Sequence, residues 1–286
     1  MALTEDLTFM LKDDGVILNS AVLQPFVDIH KVTGLDSAEY RTTERDWEGN
    51  DGGFMDAEFE KGRSVVLDGT VYSDTGTIED YLDDLKANYA PSTTLQNFYF
   101  KAPGVAERLL FVKPLGCRYD WDELRRTGQA SIQFSMFAED PRIYDSTLLS
   151  ASVPLGATVY TGFGFNLGFD FGFGGVSSTT DQVVLEIGGN RPTPPIFVIS
   201  GPVTNPRILN DITGAELRFN ITLDVADTLT IDTKYKTVRL NGTANRRSAL
   251  IAPDWYFLEP GSNTLRYRAE AASASTLTIW YRNAWR

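Results

Sequence analysis

The chain has 286 residues, enough for one large or two medium domains, and its 42% hydrophobic and 22% charged residues are a globular balance. A single cysteine, Cys117, excludes an internal disulfide framework. The net charge of −12 is uneven: residues 1–150 hold 27 Asp/Glu against 14 Lys/Arg, and residues 151–286 hold 11 against 12, so the first half repels nucleic-acid phosphates.

The opening "MALTEDLTFMLKDDG" lacks the positive segment and apolar core of a signal peptide, and no apolar run is long enough for a bilayer, so no membrane partner is expected. "LTFML", Gly15 to Leu18 and "AVLQPFVDIHKVTGL" read as short strands broken by turns. "GRSVVLDGTVY" reads either as one strand or as a tight hairpin around Asp68-Gly69. The stretch "TIEDYLDDLKANYAP" predicts a helix. Thr77 and Asp80 fit a capping box, Ile78, Tyr81, Leu82 and Leu85 form an apolar stripe, and Pro91 sets the end. Its acidic face (Glu79, Asp80, Asp83, Asp84) is expected to be solvated. "ERLLFVKPLGCRYDW" and "QASIQFSMFAEDPRIYD" read as strands, the second stopped at Asp140-Pro141 because proline cannot donate to a ladder.

A run from Thr161, "TGFGFNLGFDFGFGG", places Phe163, Phe165, Leu167, Phe169, Phe171 and Phe173 on alternate positions, with glycine, Asn166 and Asp170 between them. A period of two means an extended strand with an apolar edge and a bare edge. Burial of each ring would contribute about 1.5–3 kcal/mol, and the glycines admit a second backbone at close range. The run is read as an ordinary buried strand or as a connector between two sandwiches. It lacks the spacing of a dinucleotide loop.

Beyond it the pattern is all-β. In "ELRFNITLDV", Leu217, Phe219, Ile221, Leu223 and Val225 alternate with polar residues as in a half-buried antiparallel strand. "TLTID", "KTVRLNG", "WYFLEPGSNTLRYRAE" and "STLTIWYRNAW" continue at short spacing, with turns at Asn241-Gly242 and Pro260-Gly261. The fold class expected is mainly β: an N-terminal β-sandwich with one helix, then a C-terminal antiparallel β-sandwich. The divisions are 1–148, a connector region 149–190, and 191–286.

Catalytic machinery is not expected. One histidine, His30, cannot assemble a triad or a histidine-rich metal site, and Cys117 has no obvious partner. "DWEGNDGG" from Asp46 fails as a calcium loop, with Asp51 where glycine is needed and Ala57 where the bidentate glutamate belongs. No cofactor, metal or catalytic residue is predicted.

Several stretches together resemble the distal tail protein family of long-tailed, siphovirus-type phages, in its actinophage-like form. They are "GRSVVLDGTV" with the following "TIEDYLDDLKA", "FSMFAEDPRIYD", the aromatic alternation from Gly162, "ISGPVTNPRILNDITG", "DTLTIDTKYKTVRLNG" and "WYFLEPGSNTLRY". Residues 41–56 fit that pattern least well. The resemblance implies a structural virion protein at the tail tip. Residues 1–148 would form a six-fold ring and 191–286 a galectin-like sandwich. The ring would join the tail tube protein to the hub, tail-associated or tape-measure protein, and DNA would pass its lumen without specific binding. Some acidic residues of the first half would line that lumen, and Phe163, Phe165, Phe169, Phe171 and Phe173 would pack a connector along both sandwiches. A rival reading is a carbohydrate-binding module for host recognition, with Trp255, Trp280 and Trp285 as stacking platforms. A further alternative is a tail-tube or baseplate protein at another position in the virion.

Overall fold

The computed structural model describes residues 2–13, 15–20, 26–55, 59–73, 78–121, 123–155, 181–270 and 274–286. The chain divides into two compact units, Met1–Ser146 with Trp285–Arg286, and Thr147–Ala284.

The first unit is built on one antiparallel sheet with the strands in the order Ile17–Leu18, Thr8–Leu11, Gln96–Lys101, Arg108–Tyr119, Gln129–Ala138, Arg63–Tyr72 and Phe26–Thr33. The Arg108–Tyr119 strand serves two neighbours. Its first half pairs with Gln96–Lys101, from Arg108 opposite Phe100 to Val112 opposite Gln96. Its second half pairs with Gln129–Ala138, and the register shifts between Pro114 and Gly116. A bulge bends and twists a strand, and here the sheet changes direction at a proline without an N–H and a glycine at φ +139°. The two edges of the sheet meet at Asn19. Its backbone N–H donates to Val27 O at 2.8 Å, its side-chain oxygen accepts from Ile29 N at 3.2 Å, and its amide donates to Leu7 O at 2.9 Å.

"GRSVVLDGTVY" is a single strand, Arg63–Tyr72, paired along its whole length with Gln129–Ala138. Its alternation sends Val65, Leu67 and Val71 into the core beside Ile132, Phe134 and Met136 of its neighbour. The helix spans Glu79–Asn88 and buries Leu82 and Leu85 against that core, followed by Tyr89, whose ring lies 4.3 Å from Phe134. Thr77 of the expected capping box lies outside the described residues.

The second unit has two antiparallel sheets. One orders Leu149–Pro154, Thr276–Tyr281, Ile196–Ser200, Thr228–Asp232, Thr237–Leu240 and Ala244–Asn245; the other orders Gln182–Ile187, Gly261–Arg268, Arg207–Asn210, Glu216–Phe219 and Leu250–Pro253. Alternate residues of both form one buried cluster, with Phe197, Ile199, Leu277 and Ile279 from the first and Ile208, Leu217, Phe219 and Tyr267 from the second. Asn241 and Gly242 take φ of +50° and +74°, the left-handed pair a tight turn needs.

One expected strand is corrected. "ELRFNITLDV" breaks into Glu216–Phe219 and Thr222–Leu223. The first piece pairs with Arg207–Asn210 and Leu250–Pro253, the second with Val203–Thr204. The burial alternation runs on across the change of partner, with Ile221 packed on the core and Leu223 buried, and fails only at Val225, which is 80% exposed.

Candidate functional site

The titratable groups are placed for structure. His30 is the extra residue of a bulge between Ile29 and Lys31, half exposed, its Nε2 2.8 Å from Thr70 Oγ1 and its Nδ1 3.4 Å from Asp28. The Cys117 thiol is half-buried beside the first core, and burial pushes its pKa up to about 12, against the smaller opposing pull of Lys86. A thiol so protonated is a poor nucleophile at neutral pH. On the helix, Glu79 accepts from Arg125 Nη2 at 3.1 Å, and Asp80, Asp83 and Asp84 are exposed. Among the described residues, no group of three or more His, Cys, Asp or Glu could hold a metal ion. No helix of the described residues is long and apolar enough to cross a membrane.

Three surfaces of the first unit stand out. The outward face of the three strands Gln129–Ala138, Arg63–Tyr72 and Phe26–Thr33 is polar at its centre. There Gln133 donates to Asp68 at 2.7 Å, beside Thr70, His30 and Asp28. The second surface is an arm between Thr33 and Arg63. Its root pairs Tyr40 with Glu60 and Arg41 with Phe59, and its tip pairs Glu44–Asp46 with Gly53–Met55. Every residue from Tyr40 to Met55 is exposed, including Trp47 and Phe54, whose rings meet edge to face at 6.3 Å. The third is the turn between Tyr119 and Gln129, which exposes Trp121 and Leu124.

The residues proposed from sequence fall apart into separate places. Phe163, Phe165, Phe169, Phe171 and Phe173 lie outside the described residues. Trp255 is partly buried against the second core, with the Arg247 guanidinium 5.8 Å from its ring. Trp280 sits in the Thr276–Tyr281 strand opposite Ser150 and Ile196, half-buried and out of phase with the inward Leu277 and Ile279. Trp285 belongs to the first unit, packed on its core with the Arg108 guanidinium 3.1 Å over its ring. Sequence reasoning did not single out the arm. The signal was available in "RDWEGNDGGFM", two short strand-like pieces with one aromatic each, flanking glycines.

Residues 188–285 match the family model described as the siphovirus-type tail component, C-terminal domain. The fold of the whole chain is similar to that in the crystal structure of the SPP1 Dit protein, with 17% identity, a TM-score of 0.66, and coverage of 99% of this chain and 100% of that one. The chain resembles siphophage distal tail proteins. A chain of the phage P2 baseplate in its activated conformation with Ca also matches, with 12% identity, a TM-score of 0.49, and coverage of 96% and 98%, a likeness too low to argue from. No curated protein sequence matches significantly. The stretches "ISGPVTNPRILNDITG", "DTLTIDTKYKTVRLNG" and "WYFLEPGSNTLRY" all lie within the segment that the tail-component model covers.

Proposed function

We propose that this chain is a structural component of the siphovirus tail tip, a distal tail protein of the virion without enzymatic activity. The observation that carries the reading is likeness along 99% of the chain to SPP1 Dit, a paradigm of hub adsorption apparatus in Gram-positive infecting phages, together with the tail-component match of residues 188–285. The first unit builds a closed six-fold ring. That ring joins the tail tube to the hub or tail-associated proteins, and DNA passes through its bore. The excess of 27 Asp/Glu over 14 Lys/Arg in residues 1–150 supports a bore that repels phosphates and lets DNA slide. The polar centre of the three-stranded face, with Asp28 and Asp68, is a surface suited to that wall.

Native mass spectrometry with negative-stain imaging of the purified full chain tests the reading. A six-membered ring with a central hole is expected, and particles of another closed symmetry would refute the six-fold ring. A cryo-EM map with a neutral or basic bore would refute the acidic lining while leaving the ring intact.

A further inference from the structure

The cations of the second unit fall into two groups. On the sheet that begins with Gln182–Ile187, each strand arginine has a carboxylate. Arg207 and Arg218 share Glu216 at 3.8 and 2.9 Å, Arg266 holds Asp211, and Arg268 holds Asp181 at 2.9 Å. The edge of the other sheet, formed by Thr237–Leu240 and Ala244–Asn245, is different. Residues 233–253 hold five Lys/Arg and no Asp/Glu. Lys236, Arg239, Arg246 and Arg247 are exposed and, among the described residues, have no carboxylate partner.

These four cations are held together by the backbone. Arg239 stands opposite Asn245, the Arg246 N–H donates to Val238 O at 2.9 Å, and Arg247 Nη1 donates to Lys236 O at 3.0 Å. Two neighbouring chain segments thus gather them on a patch about 10 Å along the strand and about 5 Å across it. Tyr235, 57% exposed, lies within the same stretch, and the Trp255 ring is 5.8 Å from the Arg247 guanidinium. Like charges left this close disfavour one another, in a chain whose net charge is −12 and which has carboxylates to spare. An anion from outside the chain would relieve that repulsion, and arginine forks suit phosphate oxygens.

The surface that leads to the patch narrows the kind of anion. Ser152, Thr278, Val198, Thr230, Arg239 and Asn245 stand side by side in one outward row, about 24 Å long at 4.8 Å per strand. Thr276, Ser200 and Thr228 stand in the row beside it. Hydroxyls outnumber apolar groups there, so the face lacks the apolar centre that a protein partner covers. A nucleic-acid duplex would carry its phosphates past the acidic first half of the chain, which repels them. Hydroxyls beside cations match a chain of polyol or sugar units joined by phosphates.

We infer that this edge of the second unit, with Lys236, Arg239, Arg246 and Arg247, docks a phosphate-bearing polyol or sugar chain. The phosphates sit on the cations and the neutral units lie toward the hydroxyl rows. The site needs no ring, since all of it lies within the second unit of one copy. On the tail-tip reading, the polymer is one met at a cell surface.

Titration of poly(glycerol phosphate) into the purified full chain tests this, with polyglutamate and a short DNA duplex as rival probes. Binding is expected to weaken about 50-fold between about 50 and about 200 mM salt, as four neutralised phosphates at a slope of about −0.7 each require. Arg239→Gln/Arg246→Gln should halve that slope and weaken binding at the lower salt at least about tenfold, with thermal unfolding unchanged because both side chains are exposed. Arg207→Gln/Arg218→Gln, whose charges are paired on the other sheet, should bind like the parent. No binding of poly(glycerol phosphate) at the lower salt, or an Arg239→Gln/Arg246→Gln variant that binds like the parent, overturns the proposal. So does tighter binding of polyglutamate, which would point to an acidic protein, or of the duplex, which would point to nucleic acid. None of these results touches the ring reading, which images of the parent test separately.

Discussion

Replacing Tyr89 by Phe is expected to stabilise the protein, and the same change at Tyr267 to destabilise it. Both side chains are fully buried, Tyr89 in the first core and Tyr267 in the second. The Tyr89 hydroxyl is buried with no hydrogen-bond partner, and its pKa is driven far above the ordinary tyrosine value by loss of water. A buried hydroxyl without a partner costs about 1–3 kcal/mol, so its removal should recover about 1 kcal/mol once a small void is allowed for. The Tyr267 hydroxyl is 2.6 Å from Ser275 Oγ, and that serine donates to Ser200 O at 2.6 Å, so Tyr267 is the donor of the pair. Its loss leaves Ser275 Oγ short of a donor and should cost about 1–2 kcal/mol. Calorimetry on the full chain reads both changes. Tyr89→Phe should raise the melting of the first unit by about 2–4 °C and Tyr267→Phe should lower that of the second by a similar amount. A Tyr89→Phe variant that melts lower than the parent would show that the hydroxyl has a partner and that the reasoning is wrong.

Other expectations follow from the same geometry. A Cβ at Gly69 would sit 2.4 Å from Asp28 O, so Gly69→Ala should destabilise the first unit by about 1–3 kcal/mol in urea melts; an unchanged midpoint would contradict the close strand approach. Burial pushes Tyr81 and Tyr267 up to about 12, above the unfolded value near 10. Stability present below pH 10 should therefore be lost as pH rises from about 10 to 12, and a flat denaturation midpoint over that window would refute it. Cys117 should resist iodoacetamide at pH 8 in the folded chain and react once urea is added, as read by mass spectrometry. Phe165→Ser with Phe169→Ser should lower stability or assembly of the full chain, since both rings are proposed to pack a connector; no change in either would remove that role.

The elements with a clear period were legible in the sequence. The apolar stripe Ile78, Leu82 and Leu85 is the buried side of the helix, and the alternation in "QASIQFSMFA" is the buried side of its strand. The period did not reveal where partners change along one strand, because the buried positions keep alternating across the break. Nothing in "ELRFNITLDV" announces that Phe219 and Leu223 pair with different neighbours. It also could not separate aromatics that fill a core from aromatics that face out. Trp47 and Phe54 are outward, while Phe98 and Phe134 are buried, and all four stand in strand-like surroundings. The seam at Asn19 and the seating of Trp285 depend on residues far apart in the chain, and such pairings leave no local pattern.

The seat of Trp285 has a consequence for how the protein is made. The first unit begins at Met1, yet one of the groups packed on its core, the ring under Arg108, comes from residue 285. Residues 147–284 form the other unit, so topologically that unit is an insertion near the end of the first. During synthesis the early strands can pair as they emerge, but the last piece of their core arrives only after the whole second unit has been translated. A chain cut short anywhere in residues 147–284 lacks that piece, and Arg108 then has no ring beneath it. Completion of the first unit is in this way timed to follow completion of the second.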